Sequence, residues 1–502
     1  MLSPSSYKAL EGRFARLIVL RDAAAVLQWD MATMMPEGGS EARGEQLATL
    51  KVMSHEILTD PAVADDLGLA ESESGLDAWQ QANLREMRRA WLHAASVPGD
   101  LVEALSKAAS RCEVQWRRAR AENDFAGLRP ALEEVLNLVR QQATIKAERL
   151  GLDIYDALLD EYEPGLRAPA IDRIFDDYAA FLPGFLAKVV ERQAKNPPLA
   201  PLTGPFPAAD QHQLALRLMT ALGFDFDHGR LDTSHHPFCG GVPDDVRITT
   251  RWNELDVTQG MMGVVHETGH ALYERGLPRR GHYQPVGQAR GMAIHESQSL
   301  LVEMQVCRSP EFIRFLAPQL GEAFGASPAW EGGDLTRRLS RVKPGLIRVD
   351  ADEVTYPAHV ILRYRLERAL IGGSLTLSDL PGAWNDGMRA LLGIVPPDDR
   401  DGCLQDIHWP GGAWGYFPCY TLGAMMAAQL YAASARAIPD LPGLIERGDF
   451  APLFAWLRRH VHEKGSALSA EQIIAEATGR PLDPQIFKNH LARRYLGEVL
   501  VA

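Results

Sequence analysis

Apolar residues recur every three or four positions along most of this chain, with charged residues between them. That period predicts amphipathic helices over 40–55, 77–96, 101–122, 128–150 and 171–195. Turn formers separate them: Pro36-Glu37-Gly38-Gly39-Ser40, then Pro98-Gly99-Asp100, then the proline-rich stretch 196–207, which predicts a surface crossing rather than a flexible tether. One segment breaks the helical period. Over 245–252, polar and apolar residues alternate with β-branched side chains, which predicts one strand of a small sheet. At a sheet edge such a strand holds a peptide by main-chain pairing; the alternative is a short structural hairpin. The helical period then returns over 261–275 and 291–303, interrupted by a loop containing Pro278, Gly281, Pro285 and Gly287.

The first of these two helices carries His266-Glu267-Thr268-Gly269-His270. Histidines four apart share one helical face, close enough to hold one metal ion. Glu267 follows the first histidine directly and can reach a water on that metal without being a ligand. Such an arrangement suits hydrolysis, because the metal polarises a carbonyl and lowers the pKa of water toward ~7 while the glutamate takes the proton. With 15 His in 502 residues, chance is the alternative. The apolar flanks Val264, Val265, Ala271 and Leu272 argue against it, since two half-buried imidazoles beside a carboxylate are costly without a purpose.

A catalytic zinc usually takes a third protein ligand. The pattern that places a third histidine six residues on, after a glycine, fails here, because Tyr273 and Gly276 occupy those positions. The other pattern takes a glutamate from a second helix, and Glu296 is the first choice. Glu303 competes, since seven residues on it shares the same face; His295 points about 100° away. The bland alternative for all three is a polar helix face.

Composition frames the chain without changing this reading. At 502 residues and 46% apolar content it can bury a large core, and nothing resembling a repeat or low-complexity tract interrupts it. A net charge of -13 disfavours nucleic acid and anionic membrane as partners. The opening residues Met1 to Pro4 and the short apolar stretch Leu17 to Leu20, ended by Arg21 and Asp22, predict neither a secretory signal nor a membrane span. Cys112, Cys239, Cys307, Cys403 and Cys419 show no paired spacing, which fits reduced thiols in a cytoplasmic protein; Cys307 reads as a small buried residue rather than a ligand. The expectation is a soluble, mainly α enzyme.

Two later segments are rich in candidate chemistry. Ile347-Arg348-Val349-Asp350-Ala351-Asp352 leads into a helix, and Gly402 to Trp409 is followed by glycines and aromatics through Tyr420. His408 and the tyrosines there are able to donate hydrogen bonds to an oxyanion, although aromatics in such runs are more often core. Five motifs now stand in order: Asp245 to Thr249 as DxRxT, His266 to His270 as HExxH, His295 to Gln298 as HES/GQ, Ile347 to Asp352 as IRxxAD, and Gly402 to Trp409 as GxxQDxHW. Together with Trp29-Asp30, Met35-Pro36, Arg43 and the tail around Leu482-Asp483-Pro484 and Phe487, they resemble the M32 family of metallocarboxypeptidases, the carboxypeptidase Taq type, over nearly the whole chain.

The resemblance implies one peptidase domain over 1–502, an almost wholly helical fold whose two lobes flank a deep cleft with a small sheet on its wall, and a homodimer. It implies removal of single residues from peptide C-termini with broad specificity. By motif it makes His266, His270 and Glu296 the ligands of one Zn2+ (Co2+ or Mn2+ being the alternatives) and Glu267 the general base, which chooses Glu296 over Glu303. His408 and Tyr420 become the oxyanion donors. A carboxypeptidase also needs a fixed cation for the terminal carboxylate, and Arg348 precedes Arg247 as the candidate. The alternative for each arginine is a structural ion pair with a neighbour such as Asp352 or Asp245. Tyr416 and Gln298 complete the expected substrate-binding set. Asp352 is the guess for a residue supporting the metal ligands. The rival readings are a dipeptidyl carboxypeptidase or endo-oligopeptidase on the same scaffold, and an inactive peptide-binding scaffold.

Overall fold

The computed structural model describes residues 5–499; the opening residues 1–4, on which part of the leader expectation rests, lie outside it. Helices dominate, as the apolar period predicts. The five helices expected from that period are observed as Ser40–Thr59, Ala78–Ala95, Gly99–Glu122, Phe125–Leu150 and Ala168–Ala194, and Ser6–Thr33 is a further long helix. Their ends follow local chemistry. Asn123 takes the left-handed conformation at φ 58° to end one helix, and the Asp124 side chain accepts from the Gly127 amide at 2.8 Å to start the next. No described helix is long and apolar enough to cross a membrane.

The chain divides into two compact units, each assembled from three separated segments: 1–94, 197–340 and 423–486 form the first, and 95–196, 341–422 and 487–502 the second. A unit built from distant stretches needs no tether between domains, which is why composition displays none. In the first unit, Tyr7, Leu10, Phe14 and Leu17 of the Ser6–Thr33 helix pack with Leu58, Leu67, Leu84 and Met87 as one core cluster. A second cluster joins the small sheet to the helix Val257–Gly276, through Val246 and Ile248 on one side and Val264 and Ala271 on the other.

That sheet has three strands, β1 (Gly229–Thr233), β2 (Phe238–Val242) and β3 (Asp245–Thr250), in the order β1-β3-β2. β3 is therefore central, parallel to β1 and antiparallel to β2. This corrects the expectation of an edge strand over 245–252. Both of its main-chain edges are already paired, so it has no ladder left to offer a peptide, and it ends two residues earlier, at Thr250. Its alternation does as predicted: Val246 and Ile248 are buried against the helix, while Asp245 and Arg247 turn to the other face.

In the second unit the helix Tyr356–Ile371 is buried over most of its length and packs on Leu380–Leu392. The IRxxAD segment runs into it through a single turn, Arg348–Asp350, and the segment 402–417 has no long helix or strand of its own.

Candidate active site

Asp256 starts the helix Val257–Gly276, its carboxylate accepting from the Thr258 amide at 2.9 Å. His266 and His270 thus sit on a helix with a fixed register. The second helix, Met292–Leu300, crosses it closely because Gly269 has no side chain: a Cβ there would lie 2.6 Å from the Gln298 carbonyl oxygen and the Ser299 Cα. Gly423 does the same behind Glu296, where a Cβ would come within 2.9 Å of the glutamate's own Cβ. Neither glycine drew notice in the sequence, since close approach between helices leaves no local signature.

These approaches bring His266, His270 and Glu296 together, with one ligand atom from each within 4.8 Å of the others. Glu296 Oε2 lies 3.4 Å from His270 Nε2 and 4.0 Å from His266 Nε2. Ligand bonds of ~2.0–2.2 Å in a tetrahedron require edges of roughly 3.3–3.6 Å, so the residues fit a small divalent metal with little adjustment. The charge fits too. Burial works against a proton on His266, but its hydrogen bond to Glu303 and the charges of Glu296 and Glu267 outweigh burial and raise its pKa to about 10. A site whose field holds a cation this strongly on one imidazole is built for positive charge.

Each histidine is gripped from behind. His266 Nδ1 lies 2.9 Å from Glu303 Oε2, and Arg308 donates to the other oxygen of that carboxylate at 2.7 Å. Glu303 reaches this place from the π-helical turn Leu301–Val306 that continues the second helix. His270 Nδ1 lies 2.7 Å from His295 Nδ1, and His295 Nε2 lies 2.7 Å from Glu274 Oε1. Glu274 and Arg308 were not singled out in the sequence, yet Glu274 stands one helical turn after His270, a spacing that would have marked it. Asp352 is engaged elsewhere and corrects the guess about support: it accepts from the Lys343, Val354 and Thr355 amides at 3.0 Å each.

Glu267 lies on the same helix and is 8% exposed. Burial raises its pKa to about 7, against the pull of the neighbouring His266 charge, so the carboxyl is able to take and return a proton near neutrality.

In the second unit, Asp406 holds two arginines. Its carboxylate accepts from Arg348 Nε at 3.0 Å and from Arg363 Nε at 2.6 Å. Burial would raise the Asp406 pKa, but Arg363 and Arg348 outweigh it and hold the carboxyl far below the usual carboxylate range. Arg348 is 6% exposed, and its guanidinium carbon lies 4.8 Å from the centroid of the Tyr420 ring. His408 Nε2 is 3.2 Å from the Tyr420 hydroxyl. Burial, with Arg348 adding to it, lowers the His408 pKa to about 4, so the ring is neutral at pH 7. Tyr416 packs edge-on against Tyr420, with ring centroids 5.1 Å apart. The segment carrying these residues is anchored by Glu367, which accepts from Tyr155, Trp409 and the Gly415 amide at 2.9, 2.9 and 3.2 Å.

The remaining candidates are placed as follows. Arg247 forms a two-bond pair with Asp245, at 2.9 and 2.6 Å, and lies 4.3 Å from the Trp29 ring centroid. The neighbour suggested for Arg247 is therefore present, whereas Arg348 pairs with Asp406 rather than Asp352. Gln298 is 2% exposed, donates to Ser297 at 2.8 Å and accepts from His462 at 3.1 Å. Cys307 is buried, and no disulfide joins the five cysteines.

The sequence matches the family described as carboxypeptidase Taq (M32) metallopeptidase over residues 9–495. It is similar to thermostable carboxypeptidase 1 of Thermus thermophilus, at 37% identity over 487 residues covering 95% of each chain. It is also similar to carboxypeptidase 1 of Bacillus subtilis, at 34% identity over 94% of this chain and 95% of that one. Among solved structures, metallocarboxypeptidase 1 of Trypanosoma cruzi matches with a TM-score of 0.96 and 42% identity, covering 98% of this chain and 99% of its own. The M32 carboxypeptidase of Deinococcus radiodurans matches at 0.92 and 33%, covering 98% and 100%.

Proposed function

Because this chain belongs to the carboxypeptidase Taq (M32) family of metallopeptidases and is a metallocarboxypeptidase, we propose that it releases single amino acids from peptide C-termini with broad specificity. The observation that carries the reading is the convergence of His266, His270 and Glu296 on one point, with Glu267 on the same helix. A divalent metal held by those three side chains supplies a Lewis acid for the scissile carbonyl and lowers the pKa of a coordinated water toward ~7. Zinc suits two imidazoles and a carboxylate, and cobalt or manganese is accepted by the same donors.

Glu267 is the general base in this reading. It takes the proton of the attacking water and gives it to the leaving amine, a double duty suited to a carboxyl whose pKa burial raises to about 7. His408 and Tyr420 act as a coupled pair that donates to the oxygen gaining charge. With the proton on His408 Nε2, the imidazole donates to the Tyr420 hydroxyl, and in this reading the hydroxyl donates onward to the substrate oxygen. Arg348 is the first candidate to pair with the terminal carboxylate and Arg247 the second, with Tyr416 contributing binding surface. Cytoplasmic residence, supported by five cysteines that form no disulfide, and a homodimer, drawn from the family resemblance, belong to the same proposal.

The test compares a peptide bearing a free C-terminus with its amidated twin, using metal-loaded protein and protein treated with chelator. Stepwise release of single residues from the free peptide alone, lost on chelation and restored by zinc, is the expected result. Release of dipeptides, or cleavage of the amidated twin, would replace it with one of the related peptidase activities. Activity indifferent to chelator would overturn it.

A further inference from the structure

The two metal-binding histidines are supported in different ways. Behind His266 stands a carboxylate in direct contact, Glu303 at 2.9 Å, itself paired with Arg308. Behind His270 stands another imidazole, and the carboxylate comes one side chain later: His270 Nδ1 to His295 Nδ1 is 2.7 Å, and His295 Nε2 to Glu274 Oε1 is 2.7 Å.

We propose that His295 and Glu274 form a two-step hydrogen-bond relay that fixes the tautomer and direction of His270, and so act as positioning residues that set the affinity of the metal site. The inference rests on the reading of His266, His270 and Glu296 as metal ligands. His270 faces Glu296 with Nε2, so that nitrogen must keep its lone pair for the metal and the proton must sit on Nδ1. A proton on Nδ1 needs an acceptor, and His295 Nδ1 accepts if its own proton is on Nε2. Glu274 enforces that choice, because a carboxylate 2.7 Å from Nε2 is satisfied by an N–H. The arrangement also restrains the rings. His295 is tilted by 36° against His270 at a centroid distance of 4.6 Å, and Tyr273 packs edge-on against His295 at 5.3 Å. Glu274 and His270 come from the same helix, one turn apart, so together they clasp a ring offered by the next helix.

Residues that orient metal-bound histidines typically change metal affinity by roughly 10- to 100-fold when altered. A relay makes a sharper demand than two independent supports: Glu274 must act through His295. The experiment measures the zinc dissociation constant by competition with a chromophoric chelator, together with the visible spectrum of the cobalt-loaded protein, for wild type, Glu274→Gln, His295→Asn, His295→Phe and the double variants. Glu274→Gln is expected to weaken zinc binding by about 10-fold, and His295→Phe by somewhat more, toward about 100-fold. His295→Asn should recover part of the loss, since its amide oxygen stands near the place of Nδ1. In either His295 background, Glu274→Gln should then have no further effect; if His295→Phe does not fold, His295→Asn gives the same comparison. Additive losses would overturn the relay, as would unchanged zinc constants accompanied by lower melting temperatures of the metal-free protein. A wild-type protein that takes up no stoichiometric metal would instead overturn the ligand assignment beneath the proposal.

Discussion

His266 Nδ1 lies 2.9 Å from Glu303 Oε2, so the carboxylate that competes with Glu296 for the role of third ligand is placed behind the first histidine. Burial would raise the pKa of Glu303, but Arg308 and the hydrogen bond with His266 outweigh it and hold the pKa down at about 2. Glu303 is therefore an ionised acceptor throughout the neutral range. Replacing it with glutamine should leave the fold intact and weaken metal binding by roughly 10- to 100-fold. Chelator competition measures this, and an unchanged dissociation constant would show that the contact does not orient the ligand.

Glu267→Gln should bind metal in the same stoichiometry while turnover falls by about 10²- to 10⁴-fold. The amide keeps the shape of the side chain and loses the site for the proton. Metal content by elemental analysis, beside kcat on a blocked dipeptide, separates the two properties. Turnover near the normal rate would remove Glu267 from the chemistry.

Gly269→Ala tests how closely the two helices of the metal site must cross. The added Cβ would lie 2.6 Å from backbone atoms of Gln298 and Ser299, and backbone cannot swing aside as a flexible side-chain end does. A loss of about 1–3 kcal/mol is expected from overpacking, with weaker metal binding as the helices separate. Denaturant unfolding with and without zinc provides both numbers. A variant as stable as the parent would mean that the crossing relaxes freely.

Asp406 is the carboxylate partner of two buried arginines, and Asp406→Asn would remove that counter-charge from both. Breaking such a buried group is expected to cost about 3–5 kcal/mol. The same pairing predicts a pH dependence. The folded-state pKa of Asp406 lies below its unfolded value, so its stabilisation is complete above about pH 4 and is lost as pH falls further. Unfolding free energies of parent and variant should accordingly converge on acidification. A constant difference down to pH 2 would argue that the pair contributes little.

Much of this architecture was legible because helical periodicity is local. His266 and His270 stand four apart, and a helix of any origin puts them on one face, so a metal site could be read before any fold was known. Five long helices were equally plain, with ends displaced by a few residues where Asn123 and Asp124 form a cap rather than continuing a period, but the 28-residue helix Ser6–Thr33 was not among them. Choosing between Glu296 and Glu303 was beyond spacing. Seven residues apart they share a face, and the family resemblance favoured Glu296 before the geometry placed the two carboxylates on opposite nitrogens of His266. Strand β3 announced itself by alternation, but its central position did not. Its partners Gly229–Thr233 and Phe238–Val242 contain glycines and polar residues that mask a strand period.

By itself, then, the sequence determined the helical class, the helix that carries the candidate metal ligands and, through five ordered motifs, the family. Tertiary structure decided what stands behind each of those residues. Asp352 is close to Arg348 in the chain yet caps the turn at Thr355, while Asp406, 58 positions away from Arg348, supplies its counter-charge. Likewise His295 meets His270 across a gap of 25 residues, at a helix crossing that Gly269 permits. The reason is physical: a helical turn is set by neighbouring residues, whereas the partner of a buried charge or imidazole is whichever group packing delivers.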